Sequence, residues 1–158
     1  MLRKIVKSAE DQLIEQRRSD ISRMAQGSMR SHGKLWGMDT FSWFNPDDHA
    51  LNAVVMSLPF PVIWIANWQL VHRTSAENQS MANHIDALFF YNGNAFQSST
   101  ELLNSYSTCI GTNSITEAML LTKSFQDKQR VILFSSSRVE WHEDQLEFEQ
   151  FLAAAKAL

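Results

Sequence analysis

Residues 88–97 read Leu88-Phe89-Phe90-Tyr91-Asn92-Gly93-Asn94-Ala95-Phe96-Gln97. An Asn-Gly pair between apolar runs supplies the positive φ angles of a type I′ turn, so this stretch predicts a tight antiparallel β-hairpin. Upstream, Val62 to Arg73 is β-branched and aromatic and predicts a strand. Its second half alternates, with Ala66, Trp68 and Leu70 on one side and Asn67, Gln69 and Arg73 on the other. A polar connection, 74–84, joins it to the hairpin. Residues 130–135 give one more strand, and the aromatic stretch 34–44 a short strand or an irregular packed segment. A hairpin without regular strand–helix alternation points to an α+β fold. The expected architecture is a mostly antiparallel sheet of four to five strands covered by helices.

The helices are read from spacing and caps. Leu2, Ile5, Val6, Ala9 and Leu13 recur at helical spacing and predict a long N-terminal amphipathic helix over 2–30. Asn45 as cap, Pro46 at the first helical position and the acids Asp47 and Asp48 predict a helix start, with Leu51, Val54, Val55 and Leu58 on its buried face. Ser99 opens a short helix to about Ser107. Ser114 and Glu117 form a capping-box pattern before Ala118 and Met119. The last helix runs from Glu140 to Ala157, with Trp141, Phe148, Phe151, Leu152, Ala155 and Leu158 on one face and Glu143, Asp144, Glu147 and Glu149 toward water. The chain reads as one domain over 1–158, with 1–33 projecting or packing on a second subunit.

Composition narrows the function classes. The 158 residues are 44% hydrophobic and 11% aromatic, which excludes a disordered or fibrous chain. A single cysteine, Cys109, excludes a disulfide framework and a cysteine-cluster zinc site. The five histidines make no His-Glu-x-x-His motif, so neither a metal nor a cofactor is expected. The net charge of −3 is unevenly spread: residues 1–34 carry eight Lys or Arg against four Asp or Glu (+4), and the rest six against thirteen (−7). That argues against a nucleic-acid groove on the body. No apolar run follows the basic start, and the stretch 50–70 is broken by Pro59 and Pro61, so a soluble, cytoplasmic protein without a membrane span is expected.

Three groups of residues could carry function. Trp64, Asn67, Trp68, Gln69 and Arg73 combine aromatic walls with polar anchors, as a ligand pocket does. If the strands 62–73 and 85–91 pair, His72, Arg73, His84 and Asp86 gather at one end of the sheet as an acid–base cluster with a cationic anchor. Ser136, Ser137 and Arg138 stand between a strand and a helix start, a place suited to anions. The leading expectation is a self-associating binding module, a dimer, which uses exposed aromatics and the N-terminal helix as its surface. The alternative is a small-molecule-binding protein or small enzyme with an aromatic-lined pocket. The sequence leaves open whether the chain is an enzyme.

Overall fold

Val62–Asn67 (VIWIAN) and Val131–Ser136 (VILFSS) are strands buried at every position, and Ile85–Tyr91 (IDALFFY) is buried at all but Asp86. A strand without an exposed face must be covered on both sides, which is the environment of a parallel sheet between two helical layers. That is the arrangement found in the computed structural model, which describes Ala9, Gln12 and residues 29–73, 80–92 and 105–156.

Six strands, β1 (Met29–Leu35), β2 (Met38–Phe44), β3 (Val62–Asn67), β4 (Ile85–Tyr91), β5 (Cys109–Thr112) and β6 (Val131–Ser136), form one sheet in the order β1-β2-β6-β3-β4-β5. Only the edge pair β1–β2 is antiparallel; β2–β6, β6–β3, β3–β4 and β4–β5 are all parallel. Among the described residues the α-helices with assigned bounds are α1 (Asp48–Ser57), α2 (Trp68–Arg73), α3 (Ile115–Thr122) and α4 (Trp141–Lys156). On one face, Leu51, Val54 and Val55 of α1 and Leu70 and Val71 of α2 pack on Trp43, Trp64, Leu88, Phe90 and Leu133. On the other, Ala118 and Met119 of α3 and Phe148 and Leu152 of α4 pack on Ile63, Ile65, Phe89, Ile132 and Phe134.

The expected antiparallel sheet is therefore corrected to a mostly parallel one, and the α+β class to α/β. The reason lies at Leu88–Tyr91. These residues pair with Trp64–Asn67 on one side and Cys109–Thr112 on the other, which leaves neither edge of β4 for a hairpin partner. Residues 93–97, the other half of the expected hairpin, lie outside the described residues. The hairpin that does form is β1–β2, where Trp36 (φ 52°) and Gly37 (φ 81°) take the two positive-φ positions of a type I′ turn.

Further expectations change at element ends. The N-terminal helix over 2–30 falls almost wholly outside the described residues, and Met29 and Arg30, its last two, belong to β1. The strand 62–73 stops at Asn67, because the Asn67 Oδ1 accepts from the Gln69 backbone N–H at 2.8 Å and opens α2. The cap of α1 is Asp47 rather than Asn45; its carboxylate accepts from the N–H groups of His49 (2.8 Å) and Ala50 (3.1 Å). No helix among the described residues is long and apolar enough to cross a membrane.

Candidate functional site

In a parallel sheet the carboxyl ends of all strands lie at one edge. A crevice opens there wherever neighbouring strands send their connections to opposite faces. β2 and β3 lead into α1 and α2 on one face, whereas β6, between them, leads into α4 on the other. The end of β6 is thus flanked by a switch point on each side. Ser136, Ser137 and Arg138 stand at that end.

The sequence arms this place twice over. A depression of about 260 Å³ is lined by Phe44 from the end of β2, Arg138 from the turn after β6, and Trp141 and His142 from the first turn of α4. Phe44 meets Trp141 edge-on at 5.2 Å between ring centroids, and Trp141 stacks on the buried Phe134 at 6.1 Å. Val139, in the same turn as Arg138, is 84% exposed, an unusual setting for a β-branched apolar side chain. Among the four described arginines, Arg30 pairs with Glu149, Arg73 donates to the Asn45 Oδ1 and the Pro46 carbonyl, and Arg130 pairs with Asp86. Arg138 is the fourth; it is exposed, and no hydrogen bond or ion pair engages it among the described residues.

Beneath the depression lies a buried polar cluster. The Asp144 carboxylate, in the first turn of α4, accepts from the Tyr91 hydroxyl at 2.6 Å and from the Ser136 hydroxyl. Burial pushes the Asp144 carboxyl above the ordinary carboxylate range. Hydrogen bonds from Ser136 and Tyr91 and the nearby Asn67 amide oppose that shift, and the Glu147 charge adds to it. The same burial, with Asp144 beside it, pushes the Tyr91 phenol far up, so it stays a neutral donor. Asn67 Nδ2 and Ser137 Oγ are buried and have no hydrogen-bond partner among the described residues. Chemically, the edge offers a guanidinium and a hydroxyl that have no partner among the described residues, an imidazole and helix N–H groups, set against two aromatic rings. That combination suits an anion attached to an apolar or planar body.

The residues singled out from the sequence divide between two ends of the sheet. Ser136, Ser137, Arg138, Asn67 and Arg73 lie at the carboxyl edge, with exposed His72 beside Arg73 on α2. Trp64 is core, its indole N–H donating to the Ser135 hydroxyl at 2.7 Å. Trp68 is core as well, its ring 4.9 Å from that of Phe90, and Gln69 is exposed on the first turn of α2. His84 and Asp86 sit at the amino end of β4, and Asp86 is bound by Arg130. The two strands do pair, but in parallel, so the end of β3 and the start of β4 lie a strand length apart and the four-residue cluster does not assemble.

The sequence does not place Phe44, Trp141 or His142 at the site, and Asp144, expected to face water, is buried instead. A signal for Asp144 was present: it precedes Phe148 and Leu152 by one and two turns, and all three are buried in one i, i+4 row.

The fold and the site together define a doubly wound α/β domain with a switch-point crevice. A solved structure shares the fold: a domain from a proposed UDP-N-acetylmuramate:L-alanyl-γ-D-glutamyl-meso-diaminopimelate ligase of Haemophilus ducreyi, at 14% sequence identity and TM-score 0.53, covering 80% of this chain and 98% of that one. No protein-family model matches the chain, and no curated protein matches it.

Proposed function

We propose that this chain is a small-molecule-binding domain that takes an anionic ligand in the crevice at the end of β6. The observation that carries the reading is Arg138, which stands at a switch point and has no partner among the described residues, while the other described arginines are engaged. Its neighbour Ser137, largely buried, offers a hydroxyl with no partner among the described residues. Phe44 and Trp141 supply an apolar wall. The structural neighbour's name couples a nucleotide-sugar acid to an anionic peptide, so both belong in the first panel of ligands beside inorganic phosphate.

The test is calorimetric titration of the full chain with phosphate, UDP-N-acetylmuramate and the tripeptide. Saturable binding is expected for at least one of them. Hydrogen bonds to a charged group contribute about 1.5–3 kcal/mol, so Arg138→Gln weakens binding roughly ten- to hundredfold. Binding that is unaltered by Arg138→Gln, or absent across the panel, overturns the reading.

Self-association is a second reading, supported by one observation: Phe44, Val139 and the half-buried Trp141 put apolar surface at a single edge. It predicts a dimer in light scattering that Val139→Lys dissociates. A monomer in wild type removes it.

A further inference from the structure

We propose that Asp144 is the positioning residue of this crevice: tied to β4 by Tyr91 and to β6 by Ser136, its carboxylate fixes the first turn of α4 and so sets Trp141 and His142 against Arg138. The inference rests on the anion-binding reading and adds to it the element that holds the site's shape.

The geometry is one of convergence. Tyr91 ends β4 and Ser136 ends β6, and β3 runs between these two strands. Two strand spacings, about 10 Å, separate their backbones. Yet the long tyrosine and the short serine both donate to the same oxygen, Asp144 Oδ2. Asn67, at the end of the intervening β3, brings its amide close enough to favour the charged carboxylate, though its Nδ2 completes no hydrogen bond. Three adjacent strands therefore meet a single acid on the overlying helix. That acid lies three residues past Trp141 and two past His142, which are half of the cavity lining. The charged and titratable groups around the carboxylate are Tyr91 from β4 and Glu147 from its own helix; the rest of its surroundings are the hydroxyl of Ser136 and the amide of Asn67.

Packing alone does not require an acid here. The next two members of its helical row, Phe148 and Leu152, are apolar and buried against the sheet. A buried ionisable group at this position opposes the solvation of its own charge, and an apolar side chain would avoid that cost. What the acid supplies and an apolar side chain would not is directed hydrogen bonds, which fix an angle and a register where apolar contact fixes only proximity.

The experiment compares Asp144→Ala, Asp144→Asn and Tyr91→Phe in the full chain by two readouts. The first is affinity for inorganic phosphate. Asp144→Ala is expected to weaken it about tenfold or more, because a wall of the site loses its anchor. Asp144→Asn keeps an oxygen acceptor for Tyr91 and Ser136 and recovers most of the loss. The second readout is the near-UV circular dichroism due to Trp141, obtained as the difference from Trp141→Phe in each background. It is expected to collapse in Asp144→Ala and to return in Asp144→Asn. If Asp144→Ala does not fold, Tyr91→Phe removes one of the two ties and is expected to show both effects in smaller degree.

Unchanged affinity and unchanged Trp141 signal in Asp144→Ala overturn the proposal, as does an Asp144→Asn that is no better than Asp144→Ala. If wild type binds no phosphate, the anion-binding reading loses that probe. The Trp141 signal then decides the positioning role by itself.

Discussion

The ion pair between Asp86 and Arg130 gives a quantitative test of the parallel sheet, because it ties the start of β4 to the residue before β6. The contact is 2.5 Å, with the Arg130 side chain 10% exposed and that of Asp86 35% exposed. Arg130 also donates to the Phe125 carbonyl at 2.9 Å, lies 4.9 Å from the centre of the Phe125 ring, and approaches Asp127 at 3.9 Å. Deleting one partner of a fully buried pair costs about 3–5 kcal/mol, whereas a single hydrogen bond to a charged group contributes about 1.5–3 kcal/mol. Since a third of Asp86 meets water, Asp86→Ala belongs near the lower range, about 2 kcal/mol. Arg130→Met loses the carbonyl and ring contacts as well, for a total of about 3–4 kcal/mol. In the double variant no charge is stranded, so the losses fall short of additivity by about 1–2 kcal/mol. The assay is urea unfolding followed by circular dichroism. With a slope of about 2 kcal/mol per molar urea, Asp86→Ala moves the midpoint down by about 1 M. A shift below about 0.25 M with additive double-variant losses would refute the reasoning, and it would free Asp86 and His84 for another role at that end of the sheet.

Two further outcomes follow from the packing. His32 lies against Ser42 (2.6 Å) and the edge of Phe148 (5.3 Å between centroids), and burial lowers its pKa from the ordinary 6.5. A group with a depressed folded pKa contributes stability that is present above 6.5 and lost as pH falls through the folded value, so the melting temperature drops below pH 6.5 and His32→Gln flattens that drop. Asp144, with its pKa raised by burial, acts in the opposite sense: its contribution is present in acid and lost as pH rises through the raised value, which the comparison with His32→Gln cancels. Phe148 is fully buried and stacks on Phe134 at 4.4 Å, so Phe148→Ala costs about 3–5 kcal/mol in denaturant unfolding. Leu146, on the same helix but 57% exposed, changes stability by less than about 0.5 kcal/mol when replaced by Ala.

Local chemistry was legible where the structure uses it locally. Ser114 caps α3, its hydroxyl accepting from the Glu117 N–H at 3.1 Å, and the buried face of α4 carries Phe148 and Leu152 as its spacing requires. Sheet topology was not legible from the Asn-Gly pair. A turn signal reports only what ten residues can do by themselves, whereas the pairing of β4 is set by partners from β3 and β5 on either side. The better evidence was the apolar runs Val62–Ala66 and Val131–Phe134, which do not alternate with polar residues and so demand cover on both faces, the setting of a parallel sheet. The Trp36-Gly37 turn, meanwhile, was an equally local signal in a stretch whose aromatic content drew attention to packing instead. At the site, Ser136, Ser137 and Arg138 were visible because strand, serines and arginine are contiguous. Tyr91 and Asp144 were not, because 53 residues separate two groups that only the fold brings to 2.6 Å.

The two ends of the sheet obey different rules, and the difference supports the placement of function. At the amino end the strong charge is paired: Arg130 holds Asp86, a backbone carbonyl and an aromatic ring. At the carboxyl end the departures accumulate. Arg138 stands free among the described residues, Val139 is exposed, and Asp144 is buried against its own solvation. Asn67 Nδ2 and Ser137 Oγ are buried without partners among the described residues, and Asn45 and Asn92, just past β2 and β4, adopt positive φ of 38° and 58°. A buried carboxylate and unpartnered buried polar atoms each oppose stability by a modest amount. Trp36, before β2 at the other edge, takes a positive φ as well, but as part of the β1–β2 turn, and the Tyr106 hydroxyl and Gln145 Oε1 are also buried without partners among the described residues. What supports the proposed ligand site is that an arginine free among the described residues and a buried acid meet at the strand whose connection reverses direction.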